Sequence, residues 1–187
     1  MFLIFKSNSM ALMQVIKEPD PLLRKVSKPV QKFDAELTNF IDDLIETMYE
    51  EKGMGIAAIQ VGKPIRALVV DIPIKEEKNP LVIINPKIKF FSNETVILDE
   101  GCLSVKSDNG TLVNGKVERP ISITIEYRDI QGNFKELSID GTKSEYDLWF
   151  ARCLQHELDH LDGILFIDKL CTMQDINTIN KKECMKS

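Results

Sequence analysis

The chain has two histidines, His156 and His160, four residues apart, with Glu157 directly after the first. At 3.6 residues per turn, helical positions four apart lie on one face, one turn above each other. Two imidazoles held this way can share a metal ion, and the glutamate sits where a base can act on water at that ion. A helix carrying Gln155-His156-Glu157-Leu158-Asp159-His160 then needs one face anchored in a core and another open to a cleft. The plainer alternative is a solvated amphipathic helix that happens to carry two histidines. Two ligands do not complete a site, so another segment must supply a third.

With 187 residues, 43% of them hydrophobic, the chain is long enough for one globular domain with a substantial core. Its net charge is −5 and no basic stripe stands out, so nucleic acid is not an expected partner. No apolar run reaches transmembrane length, so no membrane partner is expected either. Met1 to Lys6 is apolar but too short for a secretory segment and lacks a basic region before it. Met10 and Met13 are alternative starts. We therefore read 1–12 as an N-terminal extension without fixed structure, 13–170 as a single domain, and 171–187 as a tail, helical or frayed. Cys102, Cys153, Cys171 and Cys184 form no CxxC pair, which fits a reducing cytoplasm rather than a disulfide framework.

Pro19, Pro21 and Pro29 mark an extended arm over 14–30, with one helical turn at 21–25. Asp34 is a good N-cap for a helix over about 35–51. Leu37, Phe40, Ile41, Leu44, Ile45 and Met48 form its apolar face, and Gly53 is the expected C′ residue. The run from Gly53 to Gln60 follows, with two glycines and two alanines that allow close approach of a ligand or another backbone. Its glycine spacing is not that of a dinucleotide fingerprint. Gln60 is its one polar side chain, either a satisfied core group or a functional donor. Strands are expected at 65–72, at 81–85 with a stop at Pro86, at 88–91 and at 94–98.

Glu100-Gly101-Cys102-Leu103-Ser104 comes next, where the cysteine either projects into a cleft or is a plain buried thiol. Lys106 to Lys116 reads as a surface loop or hairpin. Ile121 to Tyr127 alternates apolar and polar as a half-buried antiparallel strand does, and Phe134 to Ile139 pairs with it after a turn at Asp129–Gly132. Ser144 and Asp147 resemble a capping box for a helix over 145–161 that stops at Gly163. Phe150, Leu154, Leu158 and Leu161 are its core stripe; Trp149, Cys153, His156 and His160 are the wall of a pocket.

The soft candidates for a third ligand are the cysteines. Cys153 lies on the same helix, but a site built from it would be crowded, one-sided and poorly placed for Glu157. Cys102 comes from a separate strand and can complete a tetrahedron from the other side, leaving a fourth position open as a hydrolytic site requires.

Gly53-Met54-Gly55-Ile56-Ala57-Ala58-Ile59-Gln60, Glu100-Gly101-Cys102-Leu103-Ser104 and Gln155-His156-Glu157-Leu158-Asp159-His160 together resemble the three signature motifs of the peptide deformylases, in the same order and at similar spacing. The resemblance runs from about residue 14 to 170. It implies an α+β fold, with antiparallel β-sheets packed around a central helix that carries the HExxH motif. It implies that Cys102, His156 and His160 hold one divalent metal ion, usually Fe²⁺, with Zn²⁺, Ni²⁺ or Co²⁺ able to replace it. Glu157 would be the general base and acid, and the Gln60 side chain and Leu103 backbone N–H the oxyanion donors. Met54, Gly55, Leu98, Trp149 and Cys153 would line the methionine pocket, with Arg152 snorkelling to its rim. The implied substrate is a nascent N-formylmethionyl polypeptide at the ribosome. The enzyme would be cytoplasmic and monomeric, and its product formate.

Some positions depart from the family pattern. Ile59 and Lys106 stand where prolines are frequent, and the Lys106–Glu118 loop looks long and lacks the arginine that often contacts substrate there. Arg119 resembles a later family arginine, expected as a structural partner of Glu100. Three rival readings stay open. In a zinc protease of the HExxH type, the third ligand would have to be Asp168 or Glu183. In a cysteine hydrolase, Cys102 would be the nucleophile and His156 its base. The third is a metal-stabilised binding module.

Overall fold

Residues buried on one face or on two tell the strands of the larger sheet apart. In the computed structural model, which describes residues 12–73 and 77–172, β1 (Gly55–Ala57) and β2 (Ala67–Val70) are buried at every position. They lie between two helices, α1 (Ala35–Glu50) and α2 (Glu145–Leu161). Leu68 and Val70 pack toward Leu154 and Leu158 of α2; Ala67 and Val69 pack toward Ile41 and Leu44 of α1. Farther out, β6 (Ser122–Arg128) buries only Ile123, Ile125 and Tyr127, because only one of its faces is covered.

The sheet has the order β1-β2-β3-β6-β7, with β3 at Leu81–Phe91 and β7 at Phe134–Asp140, and every ladder is antiparallel. A second sheet is the hairpin of β4 (Thr95–Lys106) and β5 (Leu112–Pro120). A third apolar cluster ties that hairpin to two segments outside both sheets: Cys102, Val105 and Val117 pack with Leu23, Leu165 and Phe166. Those last three come from 3-10 turns at Pro21–Arg24 and Phe166–Lys169 and the residue before the second. This is the α+β arrangement the motifs imply, with α2 in contact with β1, β2, β5, β6 and β7. No helix among the described residues is long and apolar enough to cross a membrane. The expectations for residues 1–11 and for the tail after Thr172 lie outside the described residues.

Both helices begin as read: the Asp34 carboxylate accepts from Leu37 N–H, and the Ser144 hydroxyl from Asp147 N–H. The end of α1 differs. The left-handed residue is Lys52, at φ 57°, not Gly53. Lys52 N–H donates to the Tyr49 carbonyl and Gly53 N–H to the Met48 carbonyl, so Gly53 takes the position after the turn residue.

Two other expectations are corrected. Pro86 does not stop a strand, since β3 runs through it as one element of 11 residues. The β3–β6 register shifts between Ile84 and Lys87, and Asn85, at φ 51°, forms the irregularity that absorbs the proline. The polar stretch after Lys106, read as a surface loop or hairpin, is a hairpin, and the long Lys106–Glu118 loop is what is corrected. Strand β5 resumes at Leu112, so Lys106–Glu118 is mostly the hairpin itself. Polar composition hid a strand whose outward face is solvated.

Asn85 also pins the N-terminal arm: its side chain accepts from Val30 N–H at 2.8 Å and donates to the Val30 carbonyl at 2.9 Å. Asn85→Ala leaves both Val30 groups unpaired and puts an alanine in the left-handed region. We expect a loss of about 1–3 kcal/mol in urea unfolding.

Candidate metal centre

α2 brings its apolar stripe to the core and its histidines to the opposite wall. The His156 and His160 rings sit 5.0 Å apart, edge to face, one turn from each other. Cys102 reaches them from β4 through a local break in the hairpin. The β4–β5 register jumps from Gly101↔Asn114 to Lys106↔Leu112, so residues 102–105 face only Val113 across the ladder. That bulge turns Cys102 toward α2 and takes the Leu103 amide out of the regular ladder.

The Cys102 Sγ lies 3.3 Å from His160 Nε2, and ligand atoms of Cys102, His156 and His160 all fall within 4.8 Å of one another. A tetrahedral ion with bonds of 2.0–2.3 Å needs donors about 3.5 Å apart, so the three residues fit one. Cys153 is not in this group; its Sγ packs against β1 instead. A Cβ on Gly55 would come within 2.7 Å of that Sγ and of Glu157 Oε1. Gly55 is therefore the residue that lets β1 lie flat against the Cys153–Glu157 turn of α2. Asp168 accepts from Leu165 N–H and Arg24, well occupied away from the histidines.

The electrostatics suit a cation. Burial works against a charged His156, yet its contacts with Cys102 and Glu100 and the charge of Glu157 prevail, pushing its pKa up to about 10. Such a site stabilises positive charge at this spot. Burial, helped by His156 and Arg119, pushes His160 well below the ordinary imidazole value and keeps it neutral, as a ligand must be. Burial pushes Glu157 up to about 7, against the pull of His156 and Arg119. Glu157 Oε2 and His160 Nδ1 are buried with no hydrogen-bond partner among the described residues.

Behind His156 stands Glu100, whose carboxylate accepts four hydrogen bonds. Arg119 Nε and Nη2 donate at 2.6 and 2.8 Å, Arg152 Nη1 at 2.6 Å, and His156 Nδ1 lies at 3.0 Å. Burial would raise its pKa, but the bonds from Arg119 and His156 outweigh burial and hold it well below the usual carboxylate range. Holding Nδ1 leaves Nε2 as the free ligand atom of His156. Arg119 continues to Asp159 at 2.7 Å, and Asp159 to Lys169 at 2.7 Å.

A cleft of about 260 Å³ opens beside these residues. Met54, Gly55, Leu103, Trp149, Cys153 and Glu157 are among its walls. Gln60 lies behind, buried, with its amide locked: Oε1 accepts from Ala57 N–H at 2.8 Å, and Nε2 donates to Ser104 Oγ at 3.2 Å and lies 3.6 Å from Cys102 Sγ.

A family model described as polypeptide deformylase matches residues 12–175. The chain belongs to that family. Peptide deformylase of Rhizobium meliloti is 44% identical over 166 residues, 88% of each chain. A crystal structure of peptide deformylase from Thermotoga maritima matches with a TM-score of 0.76 at 36% identity, covering 87% of this chain and 99% of that one. A class I type b peptide deformylase from Acinetobacter baumannii, bound to Met-Ala-Ser, matches with a TM-score of 0.74 at 33% identity, covering 86% and 99%.

Within this deformylase, Cys102, His156, His160, Glu157, Gln60 and Leu103 come together around one end of the cleft, with Met54, Gly55, Trp149 and Cys153 along it. Leu98 does not join them: it is half-buried opposite Val117, outside the lining. Arg152 does not snorkel to the rim. It is buried and donates to Glu100 and to the Val96 and Val117 carbonyls. The sequence reading missed that Glu100 orients His156. The signal was there: Arg152 lies four residues before His156 and so shares its helical face.

The network runs from a buried to an exposed end. Arg119→Met removes two of the four bonds to the buried Glu100 carboxylate and leaves Asp159 without its buried partner, and should cost about 3–5 kcal/mol in chemical unfolding. Lys169→Met, at the exposed end, should cost less than about 1 kcal/mol.

Proposed function

We propose that this chain is a metal-dependent peptide deformylase that removes the N-formyl group from the initiator methionine of new polypeptides and releases formate. The observation that carries this reading is the convergence of Cys102, His156 and His160 with an unpartnered Glu157 at one end of a cleft. The Met-Ala-Ser bound to the Acinetobacter baumannii relative supports a peptide that begins with methionine.

A divalent metal on the three ligands, Fe²⁺ natively and Zn²⁺, Ni²⁺ or Co²⁺ in its place, would supply a Lewis acid and lower the pKa of water to near neutrality. The protein supplies the rest. Glu157, with a pKa near 7 and a free Oε2, takes a proton from water as the new C–O bond forms at the formyl carbon. It returns that proton to the amine nitrogen as the C–N bond breaks. Charge on the formyl oxygen is met by the Leu103 N–H and by Gln60 Nε2, which gives up its long contact with Cys102 Sγ to do so, each donor worth about 2.7–4 kcal/mol of barrier.

The methionine side chain fills the cleft between Met54, Trp149 and Cys153. Burial pushes the Cys153 thiol well up, so it stays protonated and acts as an apolar wall. The following residues run along Gly53–Ile56, where β1 is the edge strand of its sheet and has backbone groups to offer. Residues 13–170 act as one catalytic unit, a monomer that meets its substrates at the ribosome in the cytoplasm.

Cys102, a histidine and Glu100 also resemble a nucleophile–base–acid row. Cys102, however, is only 3% exposed and has Gln60 and two histidines around its sulfur, a ligand's surroundings rather than an attacking group's. Two measurements decide between the readings. Chelation should abolish formate release from a formyl-Met peptide, and divalent metal should restore it; activity that survives chelation but is lost on Cys102 alkylation favours the nucleophile. Glu157→Ala should keep its metal by elemental analysis and lose about 10²–10⁴-fold in kcat; normal turnover in that variant sinks the mechanism.

A further inference from the structure

The cleft has a reacting end and an open end, and the chain around β1 spans the distance between them. Gly55 lies against Glu157 and Cys153 at the reacting end. Lys52, three residues earlier, lines the open end together with Gly53, Leu112 and Asn114. Three residues span at most about 10 Å. A peptide that runs beside Gly53–Ile56 with its formyl-methionine at Gly55 brings its third residue next to Gly53. The long side chain of Lys52 reaches that position.

Lys52 starts from a fixed backbone. Its φ is 57°, its own N–H is bonded to the Tyr49 carbonyl at 3.0 Å, and the next N–H, of Gly53, to the Met48 carbonyl at 2.9 Å. Its ammonium has no ion pair or hydrogen bond among the described residues. The neighbouring charges are otherwise engaged. Lys106 holds Glu51 at 3.3 Å, the Lys17 ammonium donates to the Leu103 carbonyl at 2.8 Å, and Lys116 holds Asp99 at 3.2 Å. Glu50 is on the last turn of α1, outside the cleft lining. Lys52 is thus an unneutralised charge at the mouth of the cleft, and the two acids nearest that mouth, Glu51 and Asp99, already have partners.

We propose that Lys52 is a specificity-determining residue that favours an acidic side chain at the third residue of the nascent chain, a proposal that rests on the deformylase reading above. An aspartate or glutamate there gains a contact with the ammonium, and a lysine or arginine is repelled. The contact is at the surface, so its effect is modest and screened by salt. It acts on binding of the peptide and not on the formyl group, so it appears in KM.

The test uses formyl-Met-Ala-Asp, formyl-Met-Ala-Ala and formyl-Met-Ala-Lys with amidated C-termini, so that no terminal carboxylate imitates an acidic side chain. Formate release by the metal-loaded enzyme should rank Asp, Ala, Lys in kcat/KM, with steps totalling about 2–5-fold and carried by KM. The order should flatten in Lys52→Gln, invert in Lys52→Glu, and shrink at about 0.5 M salt. Both variants keep a non-glycine residue at the left-handed position, so backbone strain is not what they change. The same order in Lys52→Glu as in the unaltered enzyme overturns the proposal, as does a uniform change across all three peptides, which is what a purely structural role would give. If the unaltered enzyme releases formate from none of them, the deformylase reading itself falls and this proposal with it.

Discussion

Glu100 ties the β4–β5 hairpin to α2. It projects from β4, binds Arg119 of β5 through both oxygens, and takes Arg152 and His156 from α2. A carboxylate has about four lone-pair sites, and all are used. Two buried guanidiniums would be costly alone, and so would a buried carboxylate; together they are tolerated because each donor meets an acceptor. The result is less a source of net stability than a constraint on geometry. With Glu100 fixed, the hairpin can pack on α2 in only one register, and the His156 ring has only one orientation.

That constraint explains why the bulge in β4 is placed where it is. The hairpin is regular up to Gly101, immediately after Glu100, and irregular over the next four residues. Regular pairing secures the carboxylate, and the irregular stretch frees Cys102 to approach His160 and leaves Leu103 outside the regular ladder at the wall of the cleft. Gly55 makes the matching concession from the other side, since any side chain there would displace Glu157. The site is therefore a seam between β1, β4 and α2, each held by its own contacts: β1 by β2, β4 by β5, and α2 by its apolar stripe.

Much of this was legible in the chain. Apolar spacing gave α1 and α2 almost to the residue, because helix caps are local: Asp34 and Ser144 act on N–H groups three residues away. Alternation gave β6 and β7 for the same reason. The misreadings share a cause. Pro86 looked like a stop because proline breaks ladders, but Asn85 beside it accommodates a bulge and is anchored to Val30, 55 residues away in sequence. The polar run before Glu118 left loop and hairpin undecided and looked long as a loop, because its strand is covered on one face only.

Arg152 was the clearest failure. A charged residue beside a pocket is expected at the rim, and only Glu100, more than fifty residues upstream, makes its burial possible. The sequence by itself determined the ligand types, the helical pairing of His156 with His160, and the presence of Glu157 between them, because those depend on spacing within a few residues. Only the tertiary structure decided that Glu100 aims one of the histidines, that Arg152 is buried beside it, and that Leu98 lies outside the cleft. Those outcomes depend on register and on the meeting of distant segments, where a shift of one residue turns a side chain to the opposite face.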